Sequence, residues 1–431
     1  MTLKELRISK GFSQQNAANL LHMPLRTYKR YELEKSYEIS YKYKAIFNAL
    51  KQADKLHKKN SENTYTKICI IGGGHVGLNI GKILAKKYEV QIVDIDTKKV
   101  EIINALNEPN IKAINEISKT TKFEVAIICL PTNFDENTKT YDTKSIQRSI
   151  MQINGVNEHA LIVIKSTVSI GFTDSITGVE NEIIYAPEFL REKSAFEDAL
   201  NPDRLVVGCK NITSKVYKFA STIESVIDIP RKTIFMSLKE AEAVKLYSNA
   251  YLAMRISFFN ELDTVAMEED LNSKKIIKAM GLDPRIGDYY NNPSFCYSGY
   301  CLPKDARALA VQVNSDLINA IVSSNEKRKN FIVKKIVEEA KKRNNKPTVG
   351  IYNLDIGNNG VKYHQSSSFE ILEILRKYPV KVVVFDKNYQ DSMDNFEEFC
   401  KRSDLIICNV YDDKLESVKS KVFTRDLLSK R

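Results

Sequence analysis

No uninterrupted apolar run in the sequence approaches the ~20 residues that a membrane-crossing helix needs. The first fifteen residues, MTLKELRISKGFSQQ, are polar and amphipathic and lack the apolar stretch of a secretory signal. These absences argue against a spanning or exported chain and lead to the expectation of a cytoplasmic protein without a membrane partner. Cysteine is sparse and scattered, at 69, 129, 209, 296, 301, 400 and 408. The number is odd, no pair is spaced C-x-x-C, and no His sits where a zinc site would need it. Reduced thiols and no metal are expected. What remains is ordinary for a globular protein, with 43% hydrophobic and 28% charged residues, and 431 residues exceed what one core accommodates. Two or three domains follow.

The net charge of +11 is uneven. Residues 1–60 hold 13 Lys/Arg against 5 Asp/Glu, or +8, which leaves +3 for the rest of the chain. Such a basic head points to a polyanionic partner. Residues 1–50 read as short helices: Leu3, Leu6 and Ile8 open an amphipathic turn, Ser13 is placed to cap a helix over 14–21, and Pro24 precedes another over 25–33. The stretch LKELRISKGFSQQNAANLLHMPLRTYKRYE resembles the lambda-repressor-like helix-turn-helix. That resemblance implies DNA as a partner, with Arg26, Thr27, Lys29 and Arg30 in the major groove and Ser13 and Gln14 near phosphates. Residues 51–66, polar and without periodicity, read as a linker.

At Lys67 the pattern changes. An apolar strand over 67–71 leads into Gly72-Gly73-Gly74-His75-Val76-Gly77, then a helix over 78–87 and a strand over 90–93 that ends at Asp94. Strand, glycine turn, helix and strand in about thirty residues is the context that gives GxGxxG its meaning. Gly72 permits the tight turn, Gly74 admits a diphosphate close to the backbone, and Gly77 lets helix and strand approach. Asp94, placed to meet ribose hydroxyls, favours NAD over NADP because it would repel a 2′-phosphate. Strands over 125–130 and 161–164 continue a parallel sheet.

From Leu238 to Met280 there is neither Pro nor Gly, and apolar residues recur at helical spacing, which predicts one long helix joining two domains. Residues 347–431 then alternate: strand 348–354, helix 366–378, strand 380–385, helix 395–402, strand 405–410. The expected architecture is α/β: two Rossmann-like doubly wound domains joined by a long central helix, preceded by a small all-α helix-turn-helix domain. In residue terms these are the head at 1–50, a cofactor domain at 67–236, a central helical region at 237–335, and a second, smaller C-terminal α/β domain at 345–431. A ligand is expected in the crevice between the two sheets.

Cys301 lies in a segment, Asn291 to Asp305, whose aromatics, Gly and Pro predict a shaped loop. Lys304 and Asp305 beside it would stabilise a thiolate and hold a water. Four further stretches, IKSTV at 164, PEFLRE at 187, EAEAVKLYSNAY at 240 and GLDPRIG at 281, join this segment. Together they resemble the UDP-glucose 6-dehydrogenase family in order and spacing over 67–330. The resemblance implies four-electron oxidation of UDP-glucose to UDP-glucuronate with two NAD. Cys301 would be the nucleophile that captures the aldehyde. It further implies that Lys245 and Asn249, one helical turn apart, hold the C6 oxygen. Asp305 and Thr167 would share a proton-accepting water, and Glu188 would be the base for thioester hydrolysis, with Glu192 nearby. Gly72, Gly74, Val76, Gly77, Asp94, Lys99, Thr132, Thr167 and Glu192 would lie along the cofactor. Glu188, Phe189, Leu190, Lys245, Asn249, Tyr290, Asn291, Ser294, Phe295, Tyr300 and Lys304 would line the sugar-nucleotide pocket. Arg285 would reach it from a neighbouring subunit, which implies a homodimer.

The sequence departs from that family at His75, at Cys296 and Ser298 (glycines in the family's loop), and at Asn353, Gly357 and His364. A side chain at 296 or 298 would be costly if the backbone there needs positive φ. Oxidation of another nucleotide sugar stays open, as does a DNA-binding regulator that uses the dehydrogenase fold as a sensor.

Overall fold

A computed structural model of the chain describes residues 3–9, 25–33, 64–191, 194–228, 233–354 and 366–428. It divides into two units, one formed by Met1–Thr132 and Thr143–Lys245, the other by Asn133–Asp142 and Leu246–Arg431.

The first unit is built on strands β1 (Lys67–Ile71), β2 (Glu89–Val93), β3 (Ile111–Ile114) and β4 (Val125–Ile128). The Asn133–Asp142 excursion carries β5 (Phe134–Asp135) and β6 (Thr140–Tyr141), after which β7 (Leu161–Ile164), β8 (Ile183–Tyr185), β9 (Leu205–Gly208) and β10 (Thr233–Met236) follow. Eight of these form one sheet in the order β10-β9-β8-β7-β4-β1-β2-β3, parallel except where β8 meets β9. Helices cover both faces, so the central strands read as apolar runs, ICII after Lys67, VAII and LIVI. Ile68, Ile70, Val125 and Ile127 enter one core layer, and Cys69, Ile71, Ala126 and Ile128 enter the other. Strand order reverses between β1 and β4, and the carboxyl ends of strands at such a switch point are where α/β sheets bind ligands.

The head is described at two helices, Leu3–Ser9 and Leu25–Leu33, the second over the residues the sequence predicts. Leu3 and Tyr28 are buried, and Arg7 Nε donates to Glu32 Oε1 at 2.5 Å. Arg26 and Lys29 are exposed and Thr27 is half-buried. Ser13, Gln14 and the Arg30 side chain lie outside the described residues.

In the second unit β11 (Thr348–Tyr352), β12 (Lys381–Phe385), β13 (Leu405–Ile407) and β14 (Val422–Phe423) form a parallel sheet in the order β12-β11-β13-β14. Its alternation of strand and helix follows the sequence closely, and Ser366 and Asn395 cap the helices that follow them. Helices Asp316–Arg343 and Ser367–Leu375 supply much of the core against this sheet. No helix among the described residues is long and apolar enough to cross a membrane.

Two expectations are corrected. The stretch from 238 to 280 is not one helix: Leu238–Glu268 ends, Asp270 takes φ 53°, and Asn272 caps a new helix, Ser273–Gly281. Asp270 in the left-handed region stops the first helix without Pro or Gly, and Asn272, whose carboxamide accepts the Lys275 N–H, starts the next. The helix after the glycine turn begins at His75, not at 78, since the turn closes within Gly72-Gly73-Gly74.

Three distant segments of the second unit meet at Asp263. This residue is fully buried on the Leu238–Glu268 helix and accepts Arg328 Nη2 at 2.5 Å and Arg425 Nε at 2.9 Å. Arg328, 3% exposed, also donates to the Ser294 carbonyl. The Asn292 amide donates to Asp426 at 2.7 Å, while its oxygen accepts the Leu427 and Leu428 N–H groups. The residue-291 loop is thus anchored to both a helix and the C-terminal segment.

Candidate active site

In the first unit the glycine turn gains its shape from close approach. Gly72 has φ 103°, and a Cβ there would stand 2.7 Å from the Cys129 carbonyl oxygen. A Cβ on Gly77 would fall 2.0 Å from the Gly72 oxygen, so only glycine lets helix and turn close. Gly74 differs. A Cβ on it would meet nothing within 4 Å, and no side chain caps the helix His75–Leu84 that it begins. Uncapped first-turn N–H groups facing open space suit a diphosphate. Asp94 Oδ2 accepts the Gly73 N–H at 2.9 Å and Oδ1 that of Asp96 at 3.0 Å, with the Lys99 ammonium 3.6 Å away. Asp94 and Lys99 are therefore brought together, and a carboxylate with about four acceptor positions retains capacity for ribose hydroxyls. Thr132, buried after β4, donates its hydroxyl to the Thr167 carbonyl at 2.7 Å. Val76 is half-buried against the core. These residues fit a dinucleotide such as NAD.

Beyond β7 and β8 the same unit places its polar side chains. Lys165, 8% exposed, donates to the Ala186 carbonyl at 3.1 Å and lies 3.1 Å from Glu188 Oε2. The other Glu188 oxygen accepts the Phe189 N–H at 2.9 Å. Lys245 donates to the Glu188 carbonyl at 2.5 Å and stands 5.5 Å from the Phe189 ring centroid, with Arg204 over that ring at 4.2 Å. One turn earlier, fully buried Glu242 accepts the Gly171 N–H at 2.5 Å and the Thr173 N–H at 2.8 Å, tying the loop after Thr167 to the Lys245 helix. Burial pushes its carboxyl up, although those N–H groups oppose the shift. Leu190 is half-buried. Glu192 lies outside the described residues.

In the second unit Cys301 is the first residue of the helix Cys301–Gln312, with Tyr300 at its cap position. The shaped loop expected to run to Asp305 therefore stops at Tyr300, five residues short, and Cys301 to Asp305 are helical; Pro303 is tolerated because it sits in the first turn, where its missing N–H costs nothing. A helix start favours an anionic sulfur. Cys301 is exposed, whereas five of the other cysteines are buried and Cys129 is partly so. Burial pushes the Cys69 and Cys129 thiols up to about 12. One and a bit turns beyond Cys301, on the same face, Asp305 is fully buried. Its Oδ1 accepts the Tyr141 hydroxyl and the Lys304 ammonium, each at 2.7 Å, and its Oδ2 accepts the Asn249 amide at 2.5 Å. Three of about four acceptor positions are filled, which leaves one for a proton.

The loop before Cys301 is mixed. Asn291 is buried, Tyr290 is 40% exposed with φ 53°, and the Ser294 N–H donates to the Asn260 carboxamide oxygen at 2.9 Å. Phe295 departs from expectation: its fully buried ring stacks on Phe423 at 6.2 Å in the core, so only its backbone can face a ligand. Cys296 and Ser298 do not take positive φ; that conformation falls on Gly287, Tyr290 and Gly299. Arg285 is exposed and pairs with Asp283 at 2.6 Å. Asn353 holds φ 60°, whereas Gly357 and His364 lie outside the described residues.

Sequence reasoning passed over Tyr141, Lys165 as an ion-pair partner, and Glu242. Lys165 and Glu242 lie inside motifs already singled out, and a charge between apolar neighbours was the available signal. Tyr141 stands 164 positions from its partner and gave none.

Residues 66–226 match the model of the UDP-glucose/GDP-mannose dehydrogenase family NAD binding domain, and 239–327 match that family's central domain. The chain is 38% identical to UDP-glucose 6-dehydrogenase of Campylobacter jejuni, over 84% of this chain and 98% of that protein. It is 36% identical to UDP-glucose 6-dehydrogenase of Streptococcus pneumoniae, over 84% and 100%. Among solved structures, a UDP-glucose dehydrogenase from Pyrobaculum islandicum shares the fold, with TM-score 0.73 and 21% identity over 85% of this chain and 96% of that one.

Proposed function

Because the chain belongs to the UDP-glucose/GDP-mannose dehydrogenase family, we propose that it oxidises UDP-glucose to UDP-glucuronate through a cysteine-bound intermediate. The observation that carries this reading is Cys301 at a helix start with Asp305 four residues on, in a cluster of three donors. NAD, held at Gly72, Gly74, Gly77, Asp94 and Lys99, would supply a two-electron acceptor for each of two oxidations. The chain's own groups do the rest. Asp305 takes the proton of the C6 hydroxyl, with Thr167 helping to orient the water between them. Asn249 and Lys245 donate to the developing C6 oxygen; removing such a donor costs about 3–4 kcal/mol of transition-state stabilisation. Cys301 sulfur then adds to C6 of the aldehyde and forms a thiohemiacetal, which prevents its escape. Oxidation of that adduct gives a thioester, and Glu188, oriented by Lys165, activates the water that releases the carboxylate and restores the thiol.

Purified protein should form two NADH per UDP-glucose, and Cys301→Ala should form no UDP-glucuronate. Undiminished two-NADH turnover by that variant would sink the mechanism. No NADH with UDP-glucose, but turnover with another nucleotide sugar, would move the substrate and keep the chemistry.

A homodimer is part of this reading. Tyr251, Phe258 and Val265, seven residues apart, with Tyr247 a turn before, are each about half exposed on the Leu238–Glu268 helix. That seam suits a second copy of the same helix, from which the exposed Arg285 would reach the sugar nucleotide. DNA binding by the head is a separate reading. Residues 1–65 precede the family match, residues 1–60 carry +8, and Arg26 and Lys29 are exposed on one helix. Binding of a fragment of the protein's own promoter should weaken steeply with salt. Salt-independent binding, or none, would remove DNA as a partner.

A further inference from the structure

The segment Asn133–Asp142 leaves the first unit's chain after β4 and belongs to the second unit, where it forms the β5–β6 hairpin. Three of its side chains hold the start of the Cys301 helix. Tyr141, 5% exposed, donates to Asp305 Oδ1 at 2.7 Å; Asn133 Oδ1 accepts the Tyr300 hydroxyl at 3.0 Å; Glu136 Oε1 accepts from Arg307 at 2.9 Å. Lys304 adds a fourth link, its ammonium 4.5 Å from the Tyr141 ring centroid and 5.2 Å from that of Tyr300.

We infer that Tyr141 is a positioning residue for the oxidation, fixing the Asp305 carboxylate through its hydroxyl while the hairpin fixes the first turn of the Cys301 helix. The inference rests on the roles given above to Cys301 and Asp305. Its physical basis is that the terminal torsion of an Asp is broad and sets no orientation by itself. External donors must set it. Lys304 comes from the adjacent residue and moves with Asp305, whereas Asn249 and Tyr141 come from other elements and grip opposite oxygens. With both in place the carboxylate plane is fixed, and its remaining acceptor position points one way. A buried phenol must find a partner for its hydroxyl, and this one finds Asp305.

Tyr141→Phe keeps the ring beneath Lys304 and removes one charge-assisted hydrogen bond. The expected result is a kcat on the order of tenfold lower, with the UDP-glucose KM changed less than about twofold. In an Asp305→Asn background the same change should add less than about twofold, because its effect passes through that carboxylate. A readout independent of turnover is iodoacetamide alkylation of Cys301, followed by mass spectrometry. An Asp305 oxygen relieved of a donor, one turn from the sulfur, disfavours the thiolate and should slow alkylation about threefold. Slowed alkylation in a protein that does not oxidise UDP-glucose would uphold the positioning role and overturn the proposed reaction. Unchanged kcat and alkylation in Tyr141→Phe, or an equal loss of kcat with and without Asp305, would overturn the positioning role.

Discussion

Replacing Asp263 with Asn removes the one anion shared by Arg328 and Arg425. Asp263 is fully buried and Arg328 is 3% exposed, so the Arg328 guanidinium cannot turn to water without moving its helix, whereas Arg425 is partly exposed. Leaving one partner of a buried ion pair uncompensated costs about 3–5 kcal/mol. Here two cations lose the same counter-charge and also face each other, which places the loss at the upper end, about 4–5 kcal/mol. For a unit of this size each kcal/mol shifts the midpoint by about 2–4 °C, so the second unit's thermal transition should fall by roughly 8–20 °C. Differential scanning calorimetry reads this directly. Converting Arg328 and Arg425 to Met in the same chain should recover part of the loss, since the uncompensated charges go with them. Acid should narrow the gap between wild type and variant. Burial alone would raise the Asp263 carboxyl, but hydrogen bonds from Arg425 and the charge of Arg328 hold it below 3.8. A depressed carboxylate contributes fully above the ordinary range and loses that contribution as pH falls through its folded value. A loss under about 1 kcal/mol at pH 7 would refute the reasoning, because it would mean the cations are solvated.

Four other substitutions separate effects the structure distinguishes. Gly74→Ala should leave the melting temperature within about 2 °C yet weaken NAD binding in calorimetric titration, since its Cβ meets no protein atom; Gly77→Ala, 2.0 Å from the Gly72 oxygen, should destabilise the first unit by several kcal/mol, on the order of an overpacked core site. Burial would raise the Glu124 carboxyl, but Lys218 and the Thr66 and Lys67 groups that donate to it lower it to about 2. Glu124→Gln should therefore cost about 1–2 kcal/mol at pH 7 after allowance for solvent screening, with the difference vanishing as pH falls from 4.5 towards 2 in urea titrations. Phe258→Lys should shift the mass seen in sedimentation towards the monomer; an unchanged mass would remove the exposed seam as the contact between copies.

Legibility in the sequence followed the range of the interactions. The central strands of the first sheet were readable because burial on both faces leaves nothing polar within them, as in the LIVI strand. The glycine turn was readable because each glycine answers a local steric demand. In the second sheet Ser366 and Asn395 announced their helices. The break at Asp270 was missed because an Asn cap, not a Gly or Pro, interrupts an otherwise helical pattern. The start of the Cys301 helix was hidden by the aromatics, Gly and Pro around it. Asp263 with Arg425, and Tyr141 with Asp305, pair across more than 160 positions, so no local rule joins them. Lys245 and Asn249 were visible through their motif, but the carbonyl and the carboxylate that they grip were not.

The Leu238–Glu268 helix, 31 residues long, also acts as a ruler of about 46 Å. Lys245, Asn249 and Asp263 are graduations on it, and each added residue would turn the later positions of the helix by about 100°. An insertion between Lys245 and Asn249 would put them on different faces, and one between Asn249 and Asp263 would swing a carboxylate away from its two arginines. Length changes in lineages descended from this chain should therefore collect in surface loops and spare this stretch, even where the letters themselves drift.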